Sequence, residues 1–368
     1  MSITVVRTPY GLGGTSSHIY GDDADDNLVG QPDTEVLTGG GGNDTLSGPG
    51  HIYEGGPGND WLRGDGYDDV FMGGPGDDTL EGVAGWLNYA QYWYAPVGVT
   101  VDLRIAGPQQ TGEGADVLIN VTALQDGSFN DTFTGSDRGE LLETSGGDDV
   151  VYGGGGADTI TDNGYAFYDQ GRPDGGSTRN TLRGGEGDDV VTGGEDFDDI
   201  NGNQGNDTVS GGAGGDWVLG GQGDDLVHGG YVDNYEHANL RDDADILNGN
   251  LGNDTCDGGA GADTVRGGQG DDSLVGGKGD DELYGDRGND TLSGGEGADR
   301  FHITGEAGVD RVTDFNFGEG DRVVVHGSAQ YAAAQVGADT VITFANGAQM
   351  ILQGVQLPTL GGGWIIEG

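Results

Sequence analysis

The sequence predicts an all-β parallel solenoid, a roll of stacked nine-residue units in several blocks with a C-terminal β cap. Three observations lead there. A nonapeptide recurs in register over most of the chain, 82 of 368 residues are glycine, and 14 Lys and Arg face 64 Asp and Glu for a formal charge of −50. Glycine and proline together make up about a quarter of the residues, a share that ordinarily marks low complexity unless a strict period organises it.

The period is clearest near the end. From Gly249 the chain reads GNLGNDTCD, GGAGADTVR, GGQGDDSLV, GGKGDDELY, GDRGNDTLS and GGEGADRFH without slippage. A second run starts at Gly175 and is interrupted after His228, and rougher copies begin at Gly21, Gly39, Gly55, Gly64, Gly73, Thr144 and Gly153. These limits predict an N-terminal strand or cap (1–20), a first roll block (21–81), a β insertion (82–126) and a second block (127–161). An irregular loop (162–174), a third block (175–228), a loop insertion (229–244), a fourth block (245–302) and a C-terminal β cap (303–368) follow.

Each unit explains its own shape. Glycines supply the tight turn, and the last three residues form a short strand. The eighth position is apolar, as at Leu46, Leu62, Leu80, Val191, Val209, Val218, Val265, Leu274, Leu283 and Leu292. One inward side chain per nonamer cannot bury itself alone, so successive turns must stack it into a ladder.

Stacking also superimposes the sixth-position aspartates. At a strand spacing near 4.8 Å and an effective dielectric near 20, each stacked pair repels by roughly 3–4 kcal/mol. Cations must enter for the stack to close. The recurrent donors are carboxylates and turn carbonyls, with no periodic histidine or cysteine, so calcium is the expected ion. The same charge argues against nucleic acid and anionic membrane as partners, and no stretch is apolar and long enough to span a membrane.

The nonapeptide resembles that of the RTX, or hemolysin-type, calcium-binding family, GGxGxDxUx. Residues 258–266, 267–275 and 276–284 match it almost letter for letter, and about twenty in-register copies make the resemblance specific. It implies a right-handed parallel β-roll with two nonamers per turn and multiple calcium ions between turns. The ligands it implies are Asp26, Asp44, Asp60, Asp69, Asp78, Asp131, Asp149, Asp158, Asp189 and Asp198. They continue with Asp207, Asp216, Asp225, Asp245, Asp254, Asp263, Asp272, Asp281, Asp290 and Asp299. Glu35, Glu140 and Asn180 stand in three of the slots, and their sites are expected to be weak, altered in geometry or empty.

Two further segments resemble parts of the same family. The stretch from Asn88 through Gly98 to Gly127 looks like an insertion common between roll blocks, and residues from Gly297 to Gly368 look like a C-terminal cap with a type I secretion signal. Met1–Thr8 lacks the basic start and apolar run of a conventional leader, so the resemblance supplies the export route: type I secretion machinery as a partner and an extracellular or cell-surface location.

Catalysis finds no foothold. Neither HExxH nor GxSxG occurs, and His18, His51, His228, His237, His302 and His326 lack ligand spacing, so surface or packing roles are expected and no enzyme is predicted. Cys256 fills an eighth position and reads as a small buried apolar residue. Trp86, Tyr89, Tyr92, Trp93 and Tyr94 are expected mainly to pack the insertion, with sugar binding as the alternative. Residues 229–244, with Tyr231, Tyr235, Glu236 and His237, read as a tolerated surface loop before a recognition loop. The third position varies among Gly, Pro, Gln, Ala, Glu and Lys, which excludes the regular threonine array of an ice-binding face. The function expected is a secreted structural protein that folds on calcium and self-assembles into a layer, matrix or filament as a homo-oligomer or polymer. A calcium-dependent adhesion or polysaccharide-binding module is the alternative.

Overall fold

The computed structural model describes residues 4–10, 14–32, 34–66, 68–162, 179–195, 197–230, 244–304, 308–327 and 330–368. The chain divides into two compact units, Met1–Gly176 and Ser177–Gly368. Among the described residues the secondary structure is strand, apart from one 3-10 turn at Leu357–Thr359, and no helix is long and apolar enough to cross a membrane.

The second unit shows the repeat at its most regular. Each strand begins at the seventh position and runs through the glycine pair into the next nonamer, as in Thr264–Gln269 and Ser273–Lys278. Alternate strands go to opposite faces, so each nonamer pairs with the one two units on: Val265 lies beside Leu283, and Leu274 beside Leu292. Two nonamers therefore complete a turn, as the resemblance implied. One face stacks Leu182, Ile200, Val218, Leu247, Val265, Leu283 and Phe301. The other stacks Val191, Val209, Val227, Cys256, Leu274 and Leu292. None of these side chains is more than 1% exposed, so a core one residue wide per face fills the roll.

In the first unit an antiparallel pair, Thr4–Tyr10 with Gly14–Tyr20, leads into the roll through parallel pairing of Gly14–Tyr20 with Thr34–Thr38. Residues 82–126 carry strands that join the roll. Asn88–Gln91 and Ala123–Gln125 continue the face of Asp69–Met72, while Ala115–Ile119 extends the other face beyond Thr79–Glu81. Thr100–Asp102 starts a separate ladder with Thr132–Thr134 and Val150–Gly155. Tyr53, Phe71 and Phe133 occupy eighth-position sites here and are fully buried.

The C-terminal residues close the second unit. Val309–Val312 and Arg322–Val325 add to the two faces, and Tyr331–Val336, Asp339–Phe344 and Gln349–Leu352 form an antiparallel meander. Its last strand pairs in parallel with Val309–Val312, and Ile365–Glu367 covers Arg322–Val325. The turn from parallel to antiparallel pairing ends the stack without leaving an open nonamer.

The glycine turns leave no room for a side chain. At Gly279, with φ +134°, an added Cβ would lie 1.4 Å from the Gly261 carbonyl oxygen, whereas at Gly337, with φ +64°, nothing stands within 4 Å. Gly337→Ala should cost about 1 kcal/mol, for its backbone conformation alone. Gly279→Ala should cost roughly 3 kcal/mol or more, because the next turn must move. Denaturant titration in saturating calcium measures both, and equal losses would contradict the close-approach argument.

Candidate metal centre

All twenty aspartates expected as ligands are buried, none more than 4% exposed. The sixth residue precedes a strand whose eighth residue points into the core, so its side chain also turns inward, under the glycine turn. There the aspartates form columns along the roll axis, and within a column one carboxylate oxygen serves the turn before it. In the second unit the Asp207 amide donates to Asp225 Oδ1 at 2.9 Å, Asp225 to Asp254 at 2.8 Å, Asp254 to Asp272 at 2.8 Å and Asp272 to Asp290 at 3.0 Å. On the opposite face Asp245, Asp263, Asp281 and Asp299 repeat the pattern. The first unit has the same column through Asp26, Asp44, Asp60 and Asp78.

In nine of these aspartates the second oxygen has no such role. No N–H or O–H group reaches Oδ2 of Asp44, Asp60, Asp78, Asp207, Asp225, Asp254, Asp272, Asp290 or Asp299, although each atom is buried. A buried carboxylate oxygen with no donor is costly unless a cation meets it. The surroundings suit one. A Cβ added at the first-position glycines Gly39, Gly55, Gly267 or Gly294 would come within 2.1 to 2.3 Å of Oδ2 of Asp44, Asp60, Asp272 or Asp299. Glycine is thus needed beside each carboxylate. Carbonyl oxygens of adjacent turns crowd the same loops, as at Gly58 against Gly42 and Gly270 against Gly252. The donor set is all oxygen, which fits calcium.

Burial also raises the affinity of these carboxylates for protons. Desolvation outweighs the amide hydrogen bonds and, with neighbouring carboxylates, holds Asp78 up at about 8 and Asp225, Asp272 and Asp299 at about 7. Asp60, Asp207 and Asp254 are raised for the same reasons to about 6.

The columns extend beyond the expected ligands. Asp78 donates its amide to Asp116 Oδ1 at 3.0 Å, Asp290 to Asp310 at 3.3 Å and Asp299 to Asp321 at 3.1 Å. These three aspartates lie outside the nonapeptide register. Their signal was the local Asp-x-apolar triplet, Asp116-Val-Leu, Asp310-Arg-Val and Asp321-Arg-Val. The fifth position carries a second ladder that sequence reasoning missed: Asn206 donates to Asp188, Asp224 to Asn206, Asn253 to Asp224 and Asp271 to Asn253, all at 2.8 Å. This outer ladder is exposed, and it explains the Asn or Asp that recurs before many sixth-position residues.

The three altered slots differ from one another. Glu140 is buried and accepts from the Ser136 amide and hydroxyl. Asn180 keeps the amide bond to Asp198 Oδ1 at 2.9 Å, and the Glu35 side chain is 42% exposed, away from the column. Elsewhere, Cys256 is fully buried and burial pushes its thiol up. His302 stacks on Tyr284 with ring centroids 3.9 Å apart, beneath the Arg266 guanidinium, and burial holds it down at about 4. Tyr92 is buried, but Trp86, Trp93 and Tyr94 are exposed rather than packed. Residues 163–178 and 231–243, which include Tyr231, Tyr235, Glu236 and His237, lie outside the described residues.

The family model of the RTX calcium-binding nonapeptide repeat matches residues 13–46, 54–85, 134–161, 174–209, 201–230, 241–265 and 266–301, more than half of the chain. The chain belongs to the RTX calcium-binding nonapeptide repeat family. It is a calcium-binding β-roll protein, and its repeats bind multiple calcium ions. No curated protein matches this RTX chain. Eleven chains of solved structures do, among them the extracellular lipase LipA from Serratia marcescens, at 18% identity and a TM-score of 0.23. That match covers 57% of this chain and 45% of the lipase chain, so the RTX chain spans less than half of the lipase's length.

Two outcomes test the column. Without divalent cations the folded roll holds protons that the unfolded chain, with carboxyls near 4, has lost, so stability is greatest below about pH 4 and falls as pH rises towards about 8. Circular dichroism in chelator should show β signal declining over that range, and a signal that grows with pH would contradict it. Asp272→Asn keeps an acceptor for the Asp254 amide but removes the charge. It should lower stability by about 1–2 kcal/mol in calcium and raise the melting temperature in chelator. A variant destabilised equally in both conditions would argue for a purely hydrogen-bonding aspartate.

Proposed function

We propose that this RTX protein is an extracellular structural component whose rigidity is switched on by calcium. The observation that carries the reading is the column of buried aspartates, with donor-free oxygens in both units. Such a stack is unfavourable without cations. At calcium tenfold above a dissociation constant, each site adds about 1.4 kcal/mol, and about twenty sites exceed the ordinary 5–15 kcal/mol of net stability severalfold. The chain then stays unfolded and threadable where calcium is scarce, and folds where it is abundant. The likeness of residues 297–368 to a type I secretion signal supports export by that route.

Strand edges at the ends of a solenoid support assembly into a layer, matrix or filament. Thr4–Tyr10 pairs with Gly14–Tyr20 and with no other described strand, leaving one backbone edge for a second copy. The reading assigns no reaction to the chain. Exposed Trp86, Trp93, Tyr94 and Phe129 favour a second reading, a calcium-dependent adhesion or polysaccharide-binding module.

Circular dichroism and sedimentation velocity on the chelator-stripped protein, titrated with calcium, separate these. A cooperative gain of β signal with growth into large species is the expected result. Folding into a stable monomer would favour the binding module, and full structure in chelator would sink calcium-dependent folding.

A further inference from the structure

Where residues 82–126 return to the regular repeat, the nonamer reads Asp126-Gly-Ser-Phe-Asn-Asp131-Thr-Phe-Thr, with aspartate in the place of the usual first-position glycine. That place lies beside the sixth-position carboxylate in the regular turns, and there a side chain has no room. Here one is present and points inward: Asp126 is 1% exposed, and no N–H or O–H group reaches either of its carboxylate oxygens. The same position holds Thr144 one turn on and Asp162 after it, with Thr144 paired to Asp162 in the strand register. Both are buried, and the Thr144 hydroxyl oxygen has no hydrogen-bond partner.

We propose that Asp126, Asp131 and Asp149 form a three-carboxylate calcium site, distinct in composition from the repeat sites, that fastens residues 82–126 to the roll. One oxygen from each residue lies within 4.8 Å of the others, and all three residues are buried. An ion with calcium's arms of about 2.3–2.6 Å spans oxygen pairs up to about 5 Å apart. The charges acting most strongly on Asp126 are those of Asp149, Asp131 and Asp162, all negative. Its carboxyl lies against that of Asp131, an approach that two carboxylates tolerate only by sharing a proton or a cation.

The other oxygens are already committed to the backbone. Asp149 Oδ1 accepts from the Asp131 amide at 2.8 Å, and Asp131 Oδ1 accepts from the Val99 amide. Val99 immediately precedes Thr100–Asp102, the strand that starts the second ladder of this unit. An ion held by Asp131 therefore orients the carboxylate that anchors Val99. Asp126, at the end of Ala123–Gln125, adds the opposite border of the same segment. Three carboxylates in one site, where a repeat unit supplies one, raise affinity through ligand charge.

The inference rests on the calcium reading of the repeats, so the test reads each segment separately. Hydrogen exchange by mass spectrometry, with the full chain at pH 8 and calcium as the only added metal, gives a calcium midpoint of protection for each peptide. In Asp126→Asn the midpoints of peptides over 97–102 and 126–134 should rise about tenfold or more, while those over 255–296 stay unchanged. Asp126→Gly, which restores the repeat residue, should rise likewise and serves if the asparagine variant does not fold. Unchanged or lowered midpoints would overturn the site and point to a shared proton. No calcium response anywhere in the wild type would instead overturn the calcium reading of the repeats.

Discussion

Carboxylate repulsion along the roll axis governs this molecule. Most turns place an aspartate beneath the last, and burial denies the column the solvent that would screen it. Along the columns the roll uses one oxygen of an aspartate to satisfy the amide of the preceding one, which turns a repeating charge into a repeating hydrogen bond. At Asp44, Asp60, Asp78, Asp207, Asp225, Asp254, Asp272, Asp290 and Asp299 the other oxygen meets no protein donor. Backbone pairing, core stacking and glycine turns are all compatible with this column, yet none of them neutralises it; that is left to the calcium ions the repeats bind.

The apolar ladder is correspondingly thin. One inward side chain per nonamer, shared between two faces, gives a core without depth, and among the described residues no helix adds to it. In an ordinary domain apolar burial dominates the favourable terms. Here bound calcium can take on a share of that work, since each ion that binds the folded roll adds to its stability. The antiparallel meander at 331–352 and the pair at 4–20 belong to the same economy, since a stacked repeat needs end units that pair differently from the interior.

Departures from the period mark where the chain does something besides repeat. Glu140 folds back onto Ser136, and Asp310 and Asp321 carry the columns into the C-terminal strands. Aspartate at 126 puts charge where the repeat has none. Trp86, Trp93 and Tyr94 are exposed within nine residues of one another. They sit in the segment with the least repeat character, which is where a solenoid is free to acquire a partner surface.

The sequence alone determined the roll, its period, the inward eighth position and the buried sixth-position aspartate, because each of these follows from residue type at a fixed spacing. A nine-residue repeat with one apolar residue can bury it only by stacking, and stacking then dictates which carboxylates meet. Tertiary structure alone decided the pairing of residues 82–126 into both faces, since those strands carry no period from which a register can be read. It also decided the roles of Asp116, Asp310 and Asp321, whose place in the columns depends on strands that pair across 20 to 38 residues. The convergence of Asp126 on Asp131 and Asp149 belongs with these. Local pattern specifies what each turn looks like, but only the stacked backbone specifies which turns become neighbours.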